Sequence, residues 1–292
     1  MKSFLSIIAC AMLGYALLLM VPLYNALPQI DYYRSNSFDI IAHGNGRALL
    51  PGNTLEAAIN ALAVGADVLE LDVHLTSDEV LVVRHDAVID TTTNGYGEIA
   101  QMTLADIQAF DVGFHEVDYP NLVAPPGIRV PTLRSLFERL PSSRYLIELK
   151  PLTTEPADKL CAIIIEYELA DQVIVGSFHD SVLSYFREIC PNVPTSLAQS
   201  EAMWLVILTK FGLSHLYNSP GYSVQLPLAF WGINIVNPSL VRAVHQLNMR
   251  VEVWTVNDPA TMQTLKAMGV DGIITDYPNY IEGVISGKNN LN

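Results

Sequence analysis

Two short segments of this chain, Glu70-Leu71-Asp72 and Glu148-Leu149-Lys150, share one pattern: an ionisable residue, a leucine, and a second ionisable residue. In a β-strand, residues two apart face the same side, so each polar pair projects one way and its leucine the other. Two histidines, His43 and His85, follow the apolar runs Ile40-Ile41-Ala42 and Leu81-Val82-Val83. Three carboxylates gathered in one place repel one another unless a cation neutralises them. Mg²⁺ or Ca²⁺, with Mn²⁺ as an alternative, suits an oxygen donor set without cysteine. Imidazole takes up and releases protons near neutral pH. Together these groups suit cleavage of a phosphate ester: the cation stabilises charge on phosphoryl oxygens, and the histidines move protons to and from the entering and leaving oxygens.

Such chemistry needs a scaffold that collects strand ends. Strand candidates lie at Asp39–Ala42, Val68–Val73, Tyr145–Leu149, Val173–Gly176, Pro194–Leu197, Val224–Pro227 or Ile233–Val236, Val251–Val256 and Gly272–Thr275, with an extra extended piece at Val80–Val83. Amphipathic helices are expected near 54–64, 132–140, 156–168, 180–189, 238–248, 258–268 and 277–286. Pro131-Thr132, Asn237-Pro238 and Asp258-Pro259 punctuate three helix starts. Strict alternation predicts an α/β fold with a parallel sheet, and eight repeats without a GxGxxG after the first strand favour a (β/α)8 TIM barrel over an open sheet. The carboxyl ends of its strands would carry His43, Glu70 and Asp72, Glu148 and Lys150, Ser177, Trp254 and Asp276.

Of the 292 residues, half are hydrophobic and 16% charged, which excludes a disordered chain. Thirty acidic against sixteen basic residues give a net charge of -14, a field that repels nucleic-acid backbones, so no nucleic-acid partner is expected. Cys10, Cys161 and Cys190 form no metal-type spacing, and the last two read as small core residues rather than a disulfide.

From Phe4 to Leu23 no residue is charged, and twenty helical residues would span about 30 Å. The sequence therefore predicts an N-terminal transmembrane helix over 1–27, a linker over 28–37 and the barrel over 38–288. Lys2 ahead of the span favours an extracytoplasmic catalytic domain. Tyr24-Asn25-Ala26 is a poor cleavage site, which argues against a removed signal peptide. The apolar stretch 203–216 reads either as a barrel helix or as a helix resting on the bilayer.

From about Ile40 to Pro278 the chain resembles the glycerophosphodiester phosphodiesterases. The resemblance rests on Ile41-Ala42-His43, Pro51-Gly52-Asn53-Thr54-Leu55-Glu56-Ala57, Gly65 through Val73, Val83-Arg84-His85-Asp86, Asp90 through Gly95, Pro131-Thr132-Leu133, Ile147-Glu148-Leu149-Lys150, Gly176-Ser177-Phe178, Val253 through Asn257 and Gly272 through Pro278. It implies that Glu70, Asp72 and Glu148 hold the metal, that His43 and His85 form the acid–base pair, that Lys150 faces the phosphate and that Trp254 walls the substrate. It also implies attack by a glycerol hydroxyl, a cyclic phosphate, and hydrolysis of that ring to glycerol 3-phosphate. Substrates would be glycerophosphodiesters or lysophospholipids. Phospholipase C-like cleavage of an intact headgroup and a non-catalytic membrane-tethered barrel are the alternatives.

Two positions depart from the family pattern. His-Arg-Gly is here His43-Gly44-Asn45-Gly46-Arg47, and Pro-Glu-Asn-Thr is Pro51-Gly52-Asn53-Thr54. A cation and a carboxylate are lost together, as expected of two groups that normally pair. Arg47, on a glycine-rich loop, is the candidate to take over the phosphate contact. His74, His115, His179, His215 and His245 have no motif partner and read as structural or solvent-facing. Asp86 either orients His85 or caps a turn.

Overall fold

The computed structural model describes residues 2–21, 26–33, 38–113, 119 and 121–280. Its helices are α1 (Lys2–Leu19), α2 (Leu55–Ala63), α3 (Leu104–Ile107), α4 (Leu133–Arg139), α5 (Glu155–Glu166), α6 (Asp180–Ile189), α7 (Gln199–Lys210), α8 (Pro238–Gln246) and α9 (Pro259–Met268). Its strands are β1 (Asp39–Ala42), β2 (Val68–Leu75), β3 (Leu81–Val83), β4 (Arg144–Leu149), β5 (Val173–Gly176), β6 (Ser223–Pro227), β7 (Ala229–Phe230), β8 (Ile233–Asn234), β9 (Arg250–Trp254) and β10 (Gly272–Thr275).

Seven strands run in parallel in the order β5-β4-β2-β1-β10-β9-β6. Single parallel bridges, Val175 with Thr195 and Ser196 with Ser223, join the two ends, so the ring closes through a stave of two residues. That stave is what remains of the strand expected at Pro194–Leu197; Pro194 has no amide proton to give a longer ladder. The result is a TIM-barrel-type α/β fold. Of the two candidates for the sixth stave, Val224–Pro227 joins the barrel, and Ile233 belongs to the exposed β7–β8 hairpin instead. The extended piece near Val80 pairs antiparallel with β2. The expected helix at 277–286 appears as a 3-10 turn, Pro278–Tyr280, and its remainder lies outside the described residues.

The helix starts behave as their sequences require. Thr132 accepts from the Ser135 amide, Asn237 from Ser239 and Leu240, and Asp258 from Thr261, satisfying donors that the first turn leaves open. Inside the barrel, Ile41, Val68, Leu146, Ile174 and Ile274 form an apolar layer, sealed from below by the buried Tyr32. Residues 27–33 dock under the strands: the Leu27 amide donates to the Leu247 carbonyl, and the Tyr33 hydroxyl donates to Glu252. Arg144 and Arg250 both pair with the buried Asp39 at this end. Hydrocarbon and paired ions fill the barrel at this end, and the carboxyl end of the strands is left to carry the site.

Two expectations need correction. Among the described residues, no helix is long and apolar enough to cross a membrane. The helical part of the proposed span stops at Leu19, three residues before Pro22, because the residue preceding a proline is pushed out of the helical region. Secondly, Cys161 and Cys190 are joined in a disulfide with Cα atoms 5.8 Å apart, linking α5 to the end of α6. Their separation of 29 residues hid the pairing, since only the packing of consecutive helices brings them together.

Candidate active site

Strand parity places the site directly above the apolar layer. Two residues beyond inward Val68 comes Glu70, and two beyond that Asp72. Leu146 is followed in the same way by Glu148 and Lys150, Ile41 by His43, and Ile274 by Asp276. One carboxylate oxygen each from Glu70, Asp72 and Glu148 lies within 4.8 Å of the others. Lys150 Nζ stands 3.0 Å from Asp72 and 3.1 Å from Glu148. The Gly44 amide donates to Glu70 at 2.6 Å, an orientation its positive φ of 51° makes possible. Asn53 brackets Asp72, its side-chain amide donating to the carboxylate at 2.9 Å while its oxygen accepts from the Asp72 amide.

The electrostatics follow from burial. Desolvation, together with the Asp72 charge, pushes Glu70 up to about 8. Burial and Asp72 likewise raise Glu148. Asp72 is the exception: burial would raise it, but Lys150, His85 and the Asn53 hydrogen bond hold it below the ordinary range. Lys150 is raised, because the two carboxylates outweigh its own burial. A buried oxygen-only trio that resists full ionisation until positive charge arrives has the donor chemistry of a hard divalent cation, so the residues present fit such an ion.

Both imidazoles border this trio, each held at Nδ1. His43 Nδ1 lies 2.6 Å from Asp276 Oδ1. His85 Nδ1 lies 2.8 Å from Asp86 Oδ1, whose other oxygen accepts from Thr91. Asp86 thus orients His85 rather than only capping a turn. Burial would lower His43, but its bond to Asp276 and the Glu70 charge raise it overall. Of the histidines outside the motifs, His74 is buried and contacts the His85 carbonyl at 3.1 Å, His215 Nε2 lies 3.0 Å from the Leu18 carbonyl oxygen, His245 pairs with Asp271, and His115 lies outside the described residues.

Sequence reasoning placed Asp276 at the carboxyl end of its strand without a specific role, and gave none to Asn53, Asn257 or Tyr119. Asp276 receives Arg47 Nε at 2.9 Å, the Tyr119 hydroxyl at 2.5 Å and the Asn257 amide at 2.7 Å in addition to His43. Strand parity from Ile274 was a signal for Asp276. Tyr119 belongs to no motif or periodic stretch of the sequence and carried none. Arg47 does reach the site, but its Nε is engaged by Asp276. A Cβ placed on Gly52 would come within 2.7 Å of the Arg47 Cβ, so a side chain at position 52 and Arg47 in its present place are sterically coupled.

Two cavities meet at the imidazoles, and His43, Arg47 and His85 line both. The larger, about 390 Å³, runs from Glu70, Glu148 and Lys150 past Phe178 and Trp254 to Ala202 of α7. The smaller, about 270 Å³, lies among Asn53, Asp72, Arg84, Thr91 and Thr92.

The sequence pattern of the glycerophosphoryl diester phosphodiesterase family matches residues 43–280. The chain belongs to that family. Membership places it among the phosphoric diester hydrolases. It is 32% identical over 260 residues to a glycerophosphodiester phosphodiesterase of Bacillus subtilis, covering 85% of this chain and 86% of that one. It is 25% identical over 259 residues to the human lysophospholipase D GDPD3, covering 81% of each. In fold it is similar to a phosphodiesterase of Oleispira antarctica solved with the product sn-glycerol-3-phosphate, at a TM-score of 0.68 and 22% identity, covering 88% of this chain and 100% of that one.

Proposed function

We propose that this family member is a divalent-metal-dependent phosphodiesterase that cleaves glycerophosphodiesters, lysophospholipids included, to a phosphate monoester and a free alcohol. The observation that carries the reading is the trio Glu70, Asp72 and Glu148 within 4.8 Å, bordered by two imidazoles that are each anchored through Nδ1. When bound there, Mg²⁺, Ca²⁺ or Mn²⁺ would supply positive charge to the phosphoryl oxygens.

The chain's own residues do the rest. An anchored Nδ1–H leaves Nε2 of each histidine to exchange protons. One imidazole takes the proton of a glycerol hydroxyl as it attacks phosphorus, and the other protonates the departing alcohol oxygen. The roles then reverse as water opens the cyclic phosphate, so no net proton is consumed within the cycle. Lys150 and Arg47 add positive charge on the phosphate side, and Trp254 forms a wall beside it. Mass spectrometry of products from a panel of glycerophosphodiesters, lysophospholipids and an intact diacyl phospholipid, with and without chelator, tests this. Glycerol 3-phosphate and free alcohol are expected; diacylglycerol release would favour the phospholipase C alternative, and no turnover the non-catalytic one.

We further infer that the protein works at a membrane. Phe4 through Met20 expose an apolar surface on every side of the helix, which needs lipid or protein cover. On α7, Met203 and Trp204 are also exposed, and Phe211 follows just beyond its end. The Cys161–Cys190 bond supports an oxidising, extracytoplasmic setting. Flotation with zwitterionic vesicles tests attachment, and Leu13→Glu with Trp204→Glu should abolish it; unchanged flotation would refute it.

A further inference from the structure

Between Lys210 and Arg242 the sequence contains no Asp, Glu, Lys or Arg, although the whole chain carries a net charge of -14. Within that stretch the β7–β8 hairpin leaves Leu228 through Asn234 exposed. Its side chains are the opposite of what water favours at a hairpin tip. Trp231 is 90% exposed, Ile233 58% and Phe230 55%, and the Phe230 and Trp231 rings stack at 5.8 Å. A contiguous apolar surface of this kind marks a contact with another apolar phase.

The backbone agrees. Trp231 and Gly232 form the two-residue turn, with φ of 52° and 76°. Such turns favour Asn-Gly, because a bulky side chain is strained at positive φ. Trp231 thus holds a position that neither turn geometry nor solvation recommends. The polar groups of the hairpin are paired with one another: Phe230 is in register with Ile233, and the Ile235 amide donates to the Leu228 carbonyl at 3.1 Å. Paired amides lower the cost of leaving water, and an indole favours the headgroup boundary, where its ring is covered and its N–H stays hydrated. Anionic headgroups repel an acidic chain, so a charge-free tip suits a zwitterionic surface.

The place of the hairpin in the fold gives its tip a task. β6 ends at Pro227, opposite Trp254, and both Trp254 and Gln225 line the larger cavity. Gln199 and Ala202 of α7 line that cavity too, and Met203 and Trp204 beside them are exposed. α1 meets the barrel beyond the other end of α7, where the Tyr15 hydroxyl donates to the Phe211 carbonyl at 2.6 Å. We propose that the β7–β8 hairpin inserts its Phe230–Trp231 tip into a zwitterionic lipid surface and so holds the mouth of the barrel against the bilayer, while α1 supplies the attachment. This rests on the membrane reading above and adds to it a second contact that orients the site.

The test uses the full chain with phosphatidylcholine vesicles whose acyl chains are brominated close to the headgroup. Bromine should quench the emission of Trp204→Phe protein at least twice as strongly as that of the same protein carrying Trp231→Phe. A second variant, Phe230→Ser with Trp231→Asn, keeps the turn, since Asn suits positive φ. It should still float with vesicles through α1 and turn over soluble glycerophosphocholine within twofold of the parent. It should cleave lysophosphatidylcholine embedded in vesicles at least fivefold more slowly. Equal quenching with and without Trp231, or unchanged cleavage of the embedded lipid, would overturn the role of the hairpin while leaving attachment by α1 standing. A dimer in sedimentation that Trp231→Asn dissolves would overturn it in favour of a second copy of the chain on the tip. Failure of the parent to float would overturn the membrane reading and the hairpin with it. Absence of turnover in the parent would overturn the reaction, and the quenching result then upholds or overturns the hairpin by itself.

Discussion

His43 Nδ1 stands 2.6 Å from Asp276 Oδ1, although 233 residues separate the two in the chain. The first and last barrel strands lie side by side, with Ile41 opposite Ile274 and Ala42 opposite Thr275, so the residues that follow them meet at the rim. Asp276 is buried, and despite that its hydrogen bonds from His43 and Tyr119 keep its carboxyl well below the ordinary range. It therefore stays ionised and fixes the imidazole in the tautomer with Nε2 free. Asp276→Ala should lower kcat by about 100-fold or more with a much smaller change in KM. Steady-state kinetics check this, and a kcat within threefold of the parent would refute the orienting role.

Metal-free protein should lose stability as pH rises. Burial, reinforced by Asp72, raises Glu70 from 4.5 to about 8, so the native state holds that proton more tightly than the unfolded chain does. Stability from this group is present below about pH 4.5 and is lost as pH climbs through 8. His43, also raised, adds to the loss above its ordinary value of 6.5. Asp72 and Asp276 are lowered, so their contribution is already complete above 3.8 and does not vary over this window. Calorimetry in chelator should show Tm falling on the order of 5 °C from pH 5 to 8.5. Saturating Mg²⁺ or Ca²⁺ should flatten that slope, because the ion takes the proton's place. A Tm that rises with pH in chelator would contradict the assignment.

Much of the site was legible because strand parity and motif order act locally. Glu70 and Asp72, or Glu148 and Lys150, face one way for the same reason that Val68 and Leu146 do. What escaped was set by packing between distant segments. Tyr119 reaches Asp276 across 157 residues from a stretch of sequence without periodicity, and the cysteines pair only because α5 lies against α6. Apolar composition at the N-terminus was legible in sequence, whereas the end of α1 at Leu19 was not. The fifth stave, at Thr195 and Ser196, was shorter than its apolar run suggested because two bridged residues suffice to close the ring.

The coupling between Arg47 and Gly52 gives a paired expectation. Gly52→Glu alone should be destabilising by about 1–3 kcal/mol, as its Cβ would press to 2.7 Å from that of Arg47. Adding Arg47→Gly should recover most of that loss in denaturant unfolding. Full additivity of the two changes would show that the contact does not couple the two positions. Arg47→Ala by itself should reduce kcat/KM more than twofold if Arg47 serves the phosphate.

Reduction of the Cys161–Cys190 bond should lower Tm on the order of 5–10 °C, since it closes a loop between two packed helices. Alkylation after denaturation without reductant should label Cys10 alone, and labelling of all three cysteines would contradict the bond.

The most direct test titrates Mn²⁺ into chelator-stripped protein, following bound ion by electron paramagnetic resonance and glycerol 3-phosphate release in the same samples. The expected result is one ion per chain, with turnover rising in proportion to occupancy and both lost in Glu70→Gln. Full turnover before any ion binds, or an occupied site with no glycerol 3-phosphate formed, would contradict a phosphodiesterase built on Glu70, Asp72 and Glu148.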